Sequence, residues 1–146
     1  GNKHHATADY LARIDTALEG APANLRVTEM GPYSRDNVFD LMSSVDWVVV
    51  PSVWPETFGL VVSEAWDARR PVIASRAGGL GERIVDGRNG LGFAPGSVSG
   101  LAQLMRGCIG NARLWTAIAE KIEDEMSLDA AWASHVELAR GLGVAC

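Results

Sequence analysis

Two glutamates, Glu56 and Glu64, flank a segment that follows an apolar run and opens a helical pattern. At such a junction the backbone N–H groups of Gly59, Leu60 and Val61 would lack partners within the helix. Together with the helix dipole they would bind an anion. Gly59 would also let the backbone come close to that anion, because glycine has no side chain. The junction therefore predicts a site for a phosphate or a diphosphate.

The two carboxylates would repel a diphosphate if they pointed at it, so we expect them to contact something else. Glu64 lies about one helical turn, ~5 Å, beyond the start of the helix, and Glu56 lies in the loop before it. A carboxylate accepts charge-assisted hydrogen bonds from both hydroxyls of a diol. A nucleotide sugar carries a ribose on one side of its diphosphate and a hexose on the other. The pattern therefore favours a site that binds a nucleotide sugar.

The elements that must position this junction alternate between strand and helix patterns. Strand patterns occupy residues 25–30, 47–50, 71–75 and 91–94. Helical spacing of apolar residues recurs over residues 10–18, 38–45, 60–68, 98–108 and 114–122, and at Trp132, Val136 and Ala139. This alternation predicts an α/β fold, a Rossmann-like parallel sheet with C-terminal helices, whose ligands bind at the carboxyl ends of the strands. The continuous apolar run at 47–50 predicts a strand buried on both faces.

Length and composition restrict the class of protein. The chain has 146 residues, of which 47% are hydrophobic, and its mean hydropathy is +0.05, which predicts one globular unit. We expect residues 1–8 to be a tag or disordered and residues 9–146 to form the domain. A net charge of -5 argues against nucleic acid or anionic lipid as a partner. The two cysteines, Cys108 and Cys146, predict reduced thiols and a cytoplasmic protein.

An ordered series of sequence blocks resembles the C-terminal domain of retaining family 4 glycosyltransferases with the GT-B fold. The blocks occupy residues 50–52, 56–60, 64–65, 71–75, 78–82 and 86–90. The two glutamates with seven residues between them match the signature of that family. The resemblance extends from about Leu25 to Ala139, and the ordered series is far more specific than any one block.

The resemblance implies a role for each residue of the junction. Glu56 would be the catalytic residue that contacts hydroxyls of the donor sugar. Phe58, Gly59 and Leu60 would offer amides to the diphosphate and the sugar, and Glu64 would hold the ribose. The chain would then be part of one lobe of a two-lobe hexosyltransferase. Its donor substrate would be a nucleotide diphosphate sugar, with no cofactor and no metal.

Five further positions keep two interpretations each. Gly78 and Gly79 either line the donor-sugar pocket or only form a turn. Tyr33 either approaches the nucleobase, as the resemblance implies, or belongs to a surface turn. Trp54 either stacks on a sugar or braces its loop. Glu82 either has a role in the site or is a first-turn acid that the helix dipole favours.

Part of the family pattern is absent from this sequence. The Arg and Lys that would neutralise the diphosphate, and the N-terminal GT-B lobe that would bind the acceptor, are not found in it. We therefore expect the isolated chain to bind nucleotide weakly and to lack transferase activity. The alternative function is a non-catalytic nucleotide-sugar-binding or regulatory module of the same fold.

The strand order raises a question about one edge of the sheet. In the order 3-2-1-4-5-6, residues 25–30 match the third strand and residues 47–50 the fourth, and the first two are missing. We expect strand 25–30 to pair beside strand 47–50, or a homodimer to cover that edge. Because residues 67–70 contain no glycine, we also expect the helix there to end without a left-handed glycine cap.

Overall fold

The computed structural model describes residues 7–123 and Val136, and within them it contains one parallel three-stranded sheet. The strands are β1 (Val48–Val50), β2 (Val72–Ser75) and β3 (Gly90–Phe93), in the order β1-β2-β3. Val49 lies opposite Ile73, and Ile73 lies opposite Leu91. The predicted α/β class with a parallel, Rossmann-like sheet is confirmed.

Six helices connect or follow the strands in the described part of the chain. They are α1 (Ala8–Glu19), α2 (Val38–Ser43), α3 (Leu60–Asp67), α4 (Gly79–Arg83), α5 (Val98–Cys108) and α6 (Ala112–Ala119). Side-chain oxygens of Thr7, Ser97 and Asn111 accept backbone hydrogen bonds at the starts of α1, α5 and α6. Of the apolar positions predicted to follow α6, Trp132 and Ala139 lie outside the described residues, and Val136 is helical.

The described chain divides after Val38 into two compact units, whereas its length predicts one. The first unit contains α1, which has no buried residue. A helix that buries no side chain gains little from packing, since most helix stability in proteins comes from a buried apolar face. The second unit begins at Phe39 and contains the whole sheet.

The core of the second unit lies on both faces of β2, whose four residues are all buried. Successive side chains of a strand point to opposite faces. Val72 and Ala74 pack in one cluster with residues of α3 and α4, whereas Ile73 packs in another with Phe93 and residues of α5. The sheet is therefore covered on both faces, as expected for a parallel sheet.

The strand predicted at residues 25–30 is wrong. These residues are irregular, and Leu25, Val27 and Met30 are exposed. Their alternating pattern fits a strand, but a strand also needs a neighbour that pairs with its backbone groups. The described sheet has only β1, β2 and β3, so the expected pairing of residues 25–30 beside β1 is wrong as well.

β1 is an edge strand, and the expectation that it is buried on both faces is also wrong. Val49 is 37% exposed, whereas Val50 is buried. The side chain of Val49 lines an open cavity of about 480 Å³ together with Trp47, Ile73 and Trp115. A homodimer that covers this edge stays a prediction.

α3 ends in a left-handed turn that is formed without glycine. Arg69 has a φ of +57°. Its N–H donates to the carbonyl of Trp66, and the N–H of Arg70 donates to the carbonyl of Ala65, both at 2.8 Å. These two bonds form a Schellman motif, which usually places glycine at the left-handed position. A guanidinium N–H of Arg69 donates to the carbonyl of Ile122, and this bond helps to hold the strained residue.

Cys108 is buried in the last turn of α5, and burial raises the pKa of its thiol. Less of the reactive thiolate is therefore present at pH 8 than for an exposed cysteine. In a Cys146→Ser chain, we expect a disulfide reagent to label Cys108 at least about tenfold more slowly in the folded state than in denaturant at the same pH. The folded-state rate should rise as the pH approaches the raised pKa. Equal rates in both states would contradict this prediction.

Candidate functional site

The loops after β1 and β2 meet at the carboxyl edge of the sheet, where ligands of open α/β folds bind. We name residues 51–59 the glutamate loop and residues 76–78 the glycine turn. Glu56 and Gly78 form an isolated parallel bridge between the two. The N–H of Gly79, the first residue of α4, donates to the carbonyl of Glu56 at 2.7 Å. These backbone contacts hold the glutamate loop against the glycine turn.

This close approach leaves no room for a side chain on either glycine. A Cβ atom on Gly78 would lie 2.6 Å from the carbonyl oxygen of Glu56, and one on Gly79 would lie 2.3 Å from that of Thr57. Gly78 also has a φ of +57°, which side chains rarely tolerate. Both residues form the turn, and they are also the surface on which the glutamate loop packs. A role in lining a sugar pocket stays a prediction.

The start of α3 has the form that the sequence predicts. Gly59 is the N-cap, with a left-handed φ of +75°, and it provides no side-chain cap. The N–H of Val62 donates to the carbonyl of Gly59 at 2.9 Å. The amides of Leu60 and Val61 belong to the first turn, where helical N–H groups lack partners within the helix. Leu60 is 69% exposed, so this end of α3 faces solvent.

The two glutamates occupy different positions around this helix start. Glu56 is half-buried, and its Oε2 lies 3.6 Å from the place that a Cβ on Gly59 would take. Its carboxylate therefore lies beside the positive end of the helix dipole, which favours negative charge. Glu64 is half-buried in α3, four residues after Leu60. That spacing places Glu64 on the same side of the helix as Leu60, one turn further along.

Arg83, the last residue of α4, contacts this site, and the sequence analysis did not identify it. Its Nη1 donates to the carbonyls of Phe58 at 2.7 Å and Gly59 at 3.2 Å, and its Nη2 donates to Oγ of Ser63 at 2.9 Å. Its guanidinium carbon lies 4.0 Å from the ring centroid of Phe58 and 4.9 Å from that of Trp66. Arg83 thus supports the end of the glutamate loop through three hydrogen bonds and two ring contacts.

The remaining candidate residues do not add to this cluster. Trp54 is 77% exposed, so it does not pack as a brace for its loop. Glu82 is exposed in the first turn of α4, where the helix dipole favours an acid. Tyr33 belongs to the first unit and is partly exposed there. Neither a cluster of metal ligands nor a helix long and apolar enough to cross a membrane occurs among the described residues.

Solved structures share this fold over most of the chain. The structure of Alr3699/HepE from Anabaena in complex with UDP-glucose is similar with a TM-score of 0.71 and 27% identity, over 95% of this chain and 38% of that one. The C-terminal domain of a group 1 glycosyl transferase, LpcC, from Francisella tularensis is similar with a TM-score of 0.68 and 27% identity, over 78% of this chain and 58% of that one. A glycosyltransferase from Rickettsia africae, at 21% identity and a TM-score of 0.78, supports the fold alone. The fold is that of a C-terminal domain of a GT-B glycosyltransferase.

The family is established from the sequence as well. The family described as Glycosyl transferases group 1 matches residues 5–111, and the chain belongs to this family. Glycogen synthase of Mycobacterium tuberculosis H37Rv is 33% identical over 109 residues, which are 74% of this chain and 26% of that protein. D-inositol 3-phosphate glycosyltransferase of Rhodococcus jostii is 42% identical over 84 residues, which are 56% of this chain and 18% of that protein. The chain therefore spans about a quarter or less of the length of these curated relatives.

Proposed function

We propose that this chain binds the nucleotide diphosphate sugar donor of a retaining hexosyltransferase, in which an N-terminal lobe binds the acceptor. The observation that carries the proposal is the start of α3, where the left-handed Gly59 presents first-turn amides beside the half-buried Glu56. The similar Anabaena protein was solved with UDP-glucose, which supports the same class of ligand here.

The diphosphate is the leaving group of this reaction, and its negative charge grows as the bond to the sugar breaks. The amides of Phe58, Gly59 and Leu60 and the dipole of α3 would stabilise that charge, because they are already oriented before the reaction. Glu56, as the catalytic residue, would accept hydrogen bonds from hydroxyls of the hexose. In a retaining transfer, the acceptor then attacks the face of the sugar from which the diphosphate departs.

The other residues would orient the two ends of the donor. Glu64 would accept hydrogen bonds from the ribose hydroxyls, because its place in the second turn of α3 is beyond the diphosphate amides. Gly78 and Gly79 would line the space for the hexose next to Glu56, against which they pack. The role of Tyr33 at the nucleobase stays a prediction from the resemblance.

Nuclear magnetic resonance titration of the 146-residue chain tests the proposal. Millimolar uridine, guanosine or adenosine diphosphate should shift the amide signals of Gly59, Leu60 and Val61, whereas the matching nucleosides should not. We expect weak binding, because helix-terminus amides offset only part of the charge of a diphosphate. If no nucleoside diphosphate shifts these signals, or if nucleosides shift them equally, the proposal is wrong.

A further inference from the structure

The backbone at Arg83 is held in place by a second set of contacts. Nδ2 of Asn89 donates to the carbonyl of Arg83 at 3.0 Å, and Oδ1 of Asn89 accepts from the N–H of Val85 at 2.9 Å. The indole N–H of Trp66 donates to the carbonyl of Asn89 at 2.9 Å. Trp66 is buried in the core of the second unit. These bonds fix the backbone of Arg83, and its side chain extends from there toward the glutamate loop.

The guanidinium of Arg83 binds the carbonyls on both sides of the left-handed residue. It accepts no hydrogen bond, and its planar group of donors can bond several oxygens at once in a fixed geometry. The two carbonyls belong to Phe58 and Gly59, and the rings of Phe58 and Trp66 lie against the cation at distances typical of cation–π contacts. One side chain thus contacts both peptide units that flank Gly59, and the N–H of Val62 also holds the second of them.

Fixing these carbonyls also fixes the opposite amides. In a trans peptide unit, the N–H points away from the C=O of the same unit. The carbonyl of Phe58 shares its unit with the N–H of Gly59, and the carbonyl of Gly59 shares its unit with the N–H of Leu60. Because both carbonyls point to Arg83, both N–H groups point away from it. Without this contact the unit between Phe58 and Gly59 could rotate at little cost, whereas the unit between Gly59 and Leu60 would keep only the bond from the N–H of Val62.

We propose that Arg83 is a positioning residue, which aims the amides of Gly59 and Leu60 at the diphosphate of the donor without touching the donor. The positive charge also polarises the two peptide units in the direction that strengthens their N–H groups as donors to an anion. This inference rests on the proposed function for the identity of the anion. The effect of Arg83 on the orientation of the glutamate loop can be measured without any bound anion.

Three variants of the 146-residue chain distinguish the effect of the hydrogen-bond donors of the guanidinium from the effects of its size and its charge. Arg83→Met keeps a long apolar side chain between the rings but removes every donor, and Arg83→Lys keeps the charge with a smaller donor group. Arg88→Met is the matched control, since Arg88 is an exposed arginine that pairs with Glu123 at 2.7 Å. Affinity for uridine diphosphate should fall about tenfold in Arg83→Met and less in Arg83→Lys, and stay unchanged in the control.

Hydrogen exchange provides a readout that needs no ligand. The N–H of Val62 donates to the carbonyl of Gly59, which also accepts from Arg83. Exchange at Val62 should therefore accelerate in Arg83→Met, at a temperature well below unfolding, whereas exchange in α5 should not change. If the unchanged chain does not bind the diphosphate, the proposed function fails, and exchange at Val62 still decides the role of Arg83. Unchanged exchange, or unchanged affinity in a chain that does bind, would overturn the inference.

Ser63→Ala covers the case in which Arg83→Met does not fold. This substitution removes one partner of the guanidinium and leaves its bonds to the two carbonyls in place. We expect a smaller loss, about threefold in affinity, with faster exchange at Val62. If the variant matches the unchanged chain in both measurements, Ser63 does not help to hold the guanidinium, and Arg83→Lys decides: affinity and Val62 exchange equal to those of the unchanged chain would overturn the inference.

Discussion

Replacing Gly79 with alanine is expected to lower the free energy of unfolding by about 3 kcal/mol. The new Cβ would lie 2.3 Å from the carbonyl oxygen of Thr57, 2.9 Å from its carbonyl carbon and 3.1 Å from the carbonyl oxygen of Glu56. All three are backbone atoms, so no flexible side chain can move aside. The glutamate loop and α4 must separate, which also breaks the hydrogen bond from Gly79 to Glu56. Urea denaturation of both chains measures the difference.

Gly107→Ala is the control for the general effect of replacing glycine. Gly107 lies within α5, and a Cβ there would meet no heavy atom within 4 Å. Alanine has the higher helix propensity, so this variant should gain about 0.5–1 kcal/mol. Opposite signs for the two substitutions would assign the cost at Gly79 to the contact with the glutamate loop. A Gly79→Ala chain as stable as the unchanged one would contradict the packing described here.

The sequence predicts the parts of the fold in which the local pattern of apolar residues agrees with the burial of the element. β2 is an apolar run that ends in Ser75 shortly before a glycine turn, and it lies at the centre of the sheet with every residue buried. α5 and α6 have apolar residues at helical spacing and side-chain caps; α5 has the predicted bounds, and α6 occupies residues 112–119 where the spacing predicts 114–122. In these elements local preference and tertiary packing agree.

The errors arise where a partner decides the structure. Residues 25–30 alternate like a strand but have no paired neighbour in the described sheet, and β1 is apolar yet lies at its edge. The end of α3 is a different case: the helix ends without a glycine, as the sequence predicts, but the two backbone bonds that end it place Arg69 in the left-handed conformation, which arginine disfavours. Strand pairing and helix capping of this kind depend on backbone contacts, which the spacing of apolar residues along the sequence does not predict.

The candidate site likewise has features that the local sequence predicts and features that depend on contacts between distant residues. The glycine at the start of α3 and the spacing of the two glutamates are local features, and α3 begins at Leu60, where the sequence predicts a helix start. The contact of Gly79 with Thr57 and the bonds of Arg83 to the glutamate loop join residues more than 20 positions apart. Arg83 has no local signal of this kind, because an arginine at the end of a short helix is equally typical of a solvated position that the helix dipole favours.

The second large effect is expected from the two glutamates, and it differs between ligands. Glu64→Ala should weaken binding of a nucleoside diphosphate and of its sugar conjugate equally, by about 1.5–3 kcal/mol, because both ligands contain the ribose. Glu56→Ala should weaken only the sugar conjugate by a similar amount. The carboxylate of Glu56 lies beside the start of α3, so its removal also lifts repulsion from a diphosphate. The bare diphosphate should then bind as tightly as before or slightly more tightly.

Calorimetric titration of the protein with each ligand separates these outcomes, and Glu120→Ala serves as the control for losing a carboxylate. Glu120 is an exposed residue at the end of α6, so its removal should change neither affinity. The sign of the Glu56→Ala effect on the bare diphosphate is the decisive value, because a carboxylate that binds only the hexose cannot stabilise a ligand without one. Equal losses for both ligands in both glutamate variants would mean that the two carboxylates do not bind opposite ends of the donor, and the assignment of their roles would be wrong.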